Sequence, residues 1–238
     1  MSLVRMTWRD TLFAHWPVDS EVVARRLPPE LDVNTYDGRA WLSVVGFRME
    51  GIRPRGVPGA VGFTFPELNL RTYVTHEDSP GIYFFNLDAG DRLGVAAARR
   101  LFHLPYYTAS MRVVDRGEGV RFRSRRTHRD APPLAFDADY RPTGEAPADE
   151  GRARFLTERY RFFTAGVEAA TKGADPEATA ETVRVGEIQH DPWSLEAANL
   201  DLRRNDCFEA NGFETPAGDP VCHYAPVLEV TADRVRRA

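Results

Sequence analysis

Polar and apolar residues alternate with a period of two through much of this chain, and the stretches where they do so define its predicted strands. In 41–49, Trp41, Ser43, Val45, Phe47 and Met49 alternate with Leu42, Val44, Gly46 and Arg48. Both sides are largely apolar, which predicts a central strand. In 66–75 (PELNLRTYVT) the two faces differ sharply: Glu67, Asn69, Arg71 and Tyr73 lie on one, Leu68, Leu70, Thr72 and Val74 on the other. The turn HEDSPG leads on to 81–87, apolar on both faces, so the two segments pair most economically as a β-hairpin. A second hairpin is predicted from 108–114 and 120–126, with further strands at 134–141, 161–165, 183–189 and 221–230.

Helical spacing is rarer. Residues 19–27 read as a short helix capped by Asp19 or Ser20 and stopped by Pro28-Pro29, and 91–102 (DRLGVAAARRLF) as a second with Asp91 in its first turn. A third is predicted over 148–158. The strongest start signal, Asp191-Pro192-Trp193 followed by SLEAANLDLRR, predicts a helix to about Asn205. Residues 51–62 and 142–151 read as loops. Many strands with few helices, and no strict βαβ alternation, indicate an α+β protein dominated by antiparallel sheet, organised as one domain over 1–238.

Composition narrows the function classes. With 238 residues, net charge −4 and pI near 5.9, nothing pulls the chain globally toward nucleic acid or an anionic membrane. The basic run 122–129 reads as an exposed edge strand. Cys207 and Cys222 form no disulfide framework, which with the lack of a leader pattern suggests a cytoplasmic protein, and no run of about 18 apolar residues occurs. GxGxxG, Walker A, HExxH, GxSxG and CxxC patterns are all missing, so no cofactor is expected. The histidines have no ligand-like spacing, so no metal is expected either.

Two features carry candidate chemistry. The stripe Glu67, Asn69, Arg71, Tyr73 is either a solvated sheet surface or the wall of a polar cavity; lining a cavity, Glu67 could serve as acid or base and Arg71 could clamp an anion. The second is Arg99-Arg100-Leu-Phe-His103-Leu-Pro105-Tyr106-Tyr107, which leaves a helix through a proline to enter a strand.

The segments FAHWPVD (13–19), YDGRAWLSVVGFRM (36–49), PELNLRTYV (66–74), PGIYFFNLDA (80–89), ARRLFHLPY (98–106) and HDPWSLEAA (190–198) closely resemble the YqjF-like, or DUF2071, family nearly end to end. That family is similar to the acetoacetate decarboxylase superfamily, which implies a barrel or cone of mainly antiparallel strands, with a few peripheral helices, around a small-molecule cavity. Decarboxylases of the superfamily carry Gly-Arg-Glu-x-x-Gly-x-Pro-Lys-Lys, where one lysine forms a Schiff base and its neighbour lowers the pKa. Laid on it, this chain reads Ala98-Arg99-Arg100-Leu101-Phe102-His103-Leu104-Pro105-Tyr106-Tyr107, with tyrosine at both lysine positions. The chain has a single lysine, Lys172, in the small, polar context Ala-Thr-Lys-Gly-Ala-Asp-Pro, which cannot desolvate an ammonium.

The expectation is therefore a small-molecule-binding barrel without Schiff-base chemistry. Glu67, Tyr106 and His103 are the candidate acid–base groups, and Asn69, Arg71, Tyr73, Arg99 and Tyr107 the candidate ligand contacts. Lyase, hydratase or isomerase chemistry on a small oxo or carboxylic acid is one reading, a ligand carrier or sensor a second, and an interaction module with a vestigial pocket a third. The sequence leaves open whether His15 and Trp193 reach the cavity. Superfamily relatives imply homo-oligomerisation, although no surface stretch announces an interface.

Overall fold

A computed structural model describes residues 3–58, 62–167 and 181–238. The chain runs through β1 (Val4–Val18), α1 (Ser20–Ala24), β2 (Asp32–Val33), β3 (Ala40–Pro54), β4 (Phe63–His76), β5 (Ser79–Ala89), α2 (Arg92–Phe102), β6 (Tyr106–Arg116), β7 (Gly119–Arg126) and β8 (Ala135–Pro142). It continues with α3 (Glu150–Thr157), β9 (Arg161–Val167), β10 (Glu181–Gln189), β11 (Glu196–Asn205), β12 (Val221–Ala232) and β13 (Arg236–Arg237). The strands are ordered β13-β10-β9-β5-β6-β7-β8-β11-β12-β1-β3-β4-β2, and two further pairings, β10 with β12 and β4 with β5, turn the sheet back on itself. Two rings with a common wall result. Strands β12, β1, β3, β4 and β5 form the wall; β9 and β10 close it on one side, and β6, β7, β8 and β11 on the other. Among the described residues, only the pairings of β5 with β6 and with β9 are parallel.

A shared wall explains why β3 and β4 are buried on both faces. Odd-numbered residues of β4 face the smaller ring, whose core holds Phe13, Phe47, Phe65 and Tyr73, while Leu68 and Leu70 enter the second core beside Leu12, Phe122 and Phe136. The solvated-surface reading of the β4 stripe is thereby overturned: Glu67, Asn69 and Arg71 are 3%, 2% and 6% exposed.

The hairpins and the three shorter helices occur where the patterns predict them. Asp19, Asp91 and Asp149 cap α1, α2 and α3 by accepting from backbone amides. The β4–β5 turn places Glu77 and Asp78 at φ 46° and 63°, the twist that a two-residue hairpin loop requires.

Three expectations fail. Residues 196–205 form β11, not a helix, although their composition favours helix. Ala198, Leu200 and Leu202 are half-buried while Asn199, Asp201 and Arg203 are exposed, a period of two, and the strand fills the gap between β8 and β12. Ladder bonds along two neighbouring strands outweigh a propensity worth a few tenths of a kcal/mol per residue, about 0.7 at most. Next, β7 is no edge: it lies between β6 and β8, with Arg121 and Arg123 paired to Asp137 and Arg126 turned inward. Finally, the 51–62 loop is shorter than predicted, because β3 extends to Pro54.

The unpredicted strand β1 hides its pattern behind a bulge at Asp10, a non-glycine residue at φ 52°. Val4, Met6 and Trp8 line the cavity ahead of it, and Thr11 and Phe13 after it, so the inward positions change from even to odd. Side chains hold the bulge in place: Arg48 pairs with the Asp10 carboxylate at 2.9 Å, and the Tyr140 hydroxyl donates to the Asp10 carbonyl at 2.6 Å.

Across the β9–β10 ladder Gly186 faces Phe162, and a Cβ built there would lie 2.1 Å from the ring. Gly186→Ala is expected to cost about 1–3 kcal/mol by overpacking. An unchanged urea midpoint would mean that the Phe162 ring is free to move aside.

Candidate functional site

Strand register stacks the smaller ring in layers. Arg71 pairs with Ser43, which pairs with His15; then come Asn69, Val45 and Phe13, then Glu67 with Phe47. Phe65, Met49 and Trp8 form the next layer, and Phe63 with Ile52 the outermost. Successive layers are roughly 7 Å apart along the strands. Helix α3 floors the ring: the Leu156 carbonyl accepts from Arg71 Nη2 at 2.9 Å and from the Tyr73 hydroxyl at 2.7 Å. Trp193 Nε1 donates to the neighbouring Thr157 carbonyl at 3.1 Å. The cavity has a volume of about 310 Å³ and includes Glu67, Asn69, Arg71, Tyr106 and Arg159 in an otherwise mainly apolar lining.

These polar groups form two sets. At mid-depth, Tyr106 donates to Glu67 Oε2 at 2.7 Å and Asn69 Nδ2 to Glu67 Oε1 at 3.2 Å. Burial pushes the Glu67 carboxyl up to about 7; its two donors oppose that shift, and the Asp88 charge adds to it. Tyr106 is held well above the usual phenol range by burial and by Glu67, so it remains a donor. On the floor, Arg71 and Arg159 are both buried, and among the described residues neither makes an ion pair. Arg159 donates to the Phe155 carbonyl at 2.7 Å, and burial, with the nearby Arg71 charge adding to it, lowers its pKa to about 10. Arg71 Nε and Asn69 Oδ1 are buried with no partner among the described residues.

Behind the floor runs a directed chain. The Tyr73 hydroxyl gives its proton to Leu156, so Ser43 donates to Tyr73 at 2.7 Å and His15 Nδ1 donates to Ser43 at 2.7 Å. Burial first, then the neighbouring His223, Arg71 and Arg152, keep His15 well below its usual pKa, hence neutral.

Of the sequence candidates, the fold brings Glu67, Asn69, Arg71 and Tyr106 together on one cavity. The others are elsewhere. Tyr73 is buried, but its hydroxyl is engaged by Ser43 and Leu156 beneath the floor. His103 is the left-handed cap of α2, exposed at φ 53°, its carbonyl accepting from Thr164, so it cannot act with Glu67. Arg99 is exposed beside His128, and Tyr107, next to Tyr106 on a strand, points the other way and covers the Arg126 guanidinium at 4.1 Å. Trp193 lines the cavity; His15 lies behind Phe13, ring centroids 6.0 Å apart. Sequence reasoning missed Arg159, which follows α3 in a charged stretch with no periodic signal. Lys172 lies outside the described residues, which contain no lysine. Among the described residues no three His, Cys, Asp or Glu cluster as a metal site, and no helix is long and apolar enough to cross a membrane.

Known proteins place this geometry. The acetoacetate decarboxylase of Legionella pneumophila superposes with a TM-score of 0.66 at 11% identity, over 99% of this chain and 87% of that one. The enduracididine biosynthesis enzyme MppR, complexed with pyruvate, gives 0.65 at 13% identity, over 100% and 91%. At such identities the likeness establishes the acetoacetate decarboxylase-like fold. In sequence, the uncharacterized protein YqjF of Bacillus subtilis (strain 168) is 39% identical over 231 residues, covering 96% of this chain and 89% of YqjF. The model of DUF2071, an uncharacterized conserved protein family, matches residues 5–229. The chain that builds this double-ringed sheet and its floored cavity belongs to the DUF2071 family.

Proposed function

We propose that this chain is a small-molecule-binding barrel that performs acid–base chemistry on a small oxo or carboxylic acid without forming an imine. One observation carries the reading: among the described residues, two buried guanidiniums without carboxylate partners share a cavity with a single carboxyl group poised near neutrality. Buried unpaired cations are costly, and a ligand carboxylate turned toward them offsets part of that cost. With its carboxylate turned toward the positive floor, an oxo acid at mid-depth presents the carbon beside its oxo group to ionised Glu67, which takes a proton from it. The electron pair moves onto the oxo oxygen, where the Tyr106 hydroxyl stabilises it. Return of the proton to another carbon is isomerase chemistry; departure of a group from the next carbon is lyase or hydratase chemistry. That a neighbour of this fold is complexed with pyruvate, a small oxo acid, supports the ligand class.

The predominantly apolar lining favours a second reading, a non-catalytic carrier or sensor using the same cavity. Proton exchange separates the two. Incubated with 2-oxobutanoate in D₂O, the protein should catalyse deuterium uptake at C3, followed by proton NMR, with a rate rising as pH passes through about 7 and Glu67 ionises. Affinity for the anion, measured by calorimetry, should fall over the same interval, because a second negative charge then faces it. Binding without exchange favours the carrier; neither exchange nor a thermal shift with any oxo acid leaves the vestigial pocket.

A further inference from the structure

We infer that the acid bound here carries an apolar tail, making the ligand an amphipathic oxo acid longer than pyruvate or acetoacetate. This rests on the reading of the cavity as an acid site and adds an orientation to it. Strand register sorts the cavity wall by chemistry along its depth. Arg71 occupies the layer next to the floor, and Glu67 with its Tyr106 partner sits two layers above. Beyond Glu67 the wall strands offer apolar side chains to the cavity in the next layer, Phe65, Met49 and Trp8, and then Phe63 and Ile52, with Arg53 at the outer end donating to the Gly51 and Val57 carbonyls. Phe63, at 51% exposure, marks where the lining reaches solvent.

An acid whose oxo carbon meets Glu67 and whose carboxylate is turned toward the floor must therefore project its remaining carbons away from the arginines, toward two layers, or roughly 13 Å, of mainly apolar wall. Volume agrees. About 310 Å³ equals the liquid volume of about ten waters at roughly 30 Å³ each, well above what a three-carbon acid fills. Water left in the outer layers would meet few polar partners there, and an alkyl or aryl chain displaces it favourably. The polar end is built for one short head, and the greater part of the lining is built for something else.

The test is a length series on the wild-type chain by calorimetry: pyruvate, 2-oxohexanoate and 2-oxooctanoate, with 1-octanol as the uncharged control. Each added methylene should tighten binding roughly three- to fourfold, so that 2-oxooctanoate, with five more, binds roughly 250- to 1,000-fold better than pyruvate. Met49→Thr and Ile52→Asn, one in each of the two outer layers, should shrink that ratio severalfold. A flat series overturns the tail while leaving the acid site standing. A steep series whose ratio is unmoved in both variants overturns the assigned direction of the tail. Octanol binding as tightly as 2-oxooctanoate, with pyruvate not bound, overturns the acid site as well.

Discussion

Glu67→Gln should slow deuterium uptake into 2-oxobutanoate by roughly 10²- to 10⁴-fold, the usual contribution of a positioned general base. The substitution keeps the shape of the side chain. Its amide oxygen can still accept the Tyr106 hydroxyl, now at 2.7 Å from Oε2, so the fold and the cavity floor remain as they are. Binding should survive and lose its pH dependence near 7, since the group whose burial sets that value is gone. Proton NMR for exchange and calorimetry across pH for affinity read the two effects separately. Exchange at the wild-type rate would mean that the base is another group.

Arg126→Met should lower stability by about 3–5 kcal/mol, because it strands a buried carboxylate. Arg126 holds Asp88 through two parallel contacts of 2.7 Å, with the side chains 2% and 0% exposed. Asn86 adds a third donor to Asp88 at 2.6 Å and itself accepts from Asn211 at 2.6 Å. Burial already pushes Asp88 above the usual carboxylate range even with these donors present, and removing the guanidinium removes the main opposing influence. Urea unfolding of Arg126→Met and of the double variant Asp88→Leu/Arg126→Met decides the matter. The double variant should recover most of the loss, since what costs free energy is the unpaired charge rather than the absence of the pair.

Most of the strands were legible because a strand's period of two survives in the sequence wherever the two sides of a sheet differ. The polar face of β4 was legible for that reason, and three of its four members, Glu67, Asn69 and Arg71, line the cavity. What was not legible depends on partners distant in sequence. β11 has a helix former's composition, and only the open edges of β8 and β12 make it a strand. β1 loses its alternation at Asp10, so Trp8 and Phe13 seem to point opposite ways while both face the cavity. Arg159 enters the site because α3 docks across the barrel end, and nothing local records that docking. His103, at a junction that leaves a helix through Pro105 to enter a strand, suggested a residue at a cavity edge; its left-handed backbone turns the side chain out to solvent.

The common wall has a consequence in time as well as in space. β1 is hydrogen-bonded along its length to β12, and Thr7 donates to Glu229, 222 positions further along the chain. During synthesis the first strand thus waits for nearly the last, and neither ring can close until β12 has left the ribosome. Until then the apolar lining of the future cavity is held by an incomplete sheet with open edges, the kind of surface on which nascent chains associate wrongly. Contacts of such long sequence separation place folding in the slow range typical of closed β architectures, milliseconds to seconds. A protein built this way completes its cavity only once β12 is in place, so the cavity is among the later features to form.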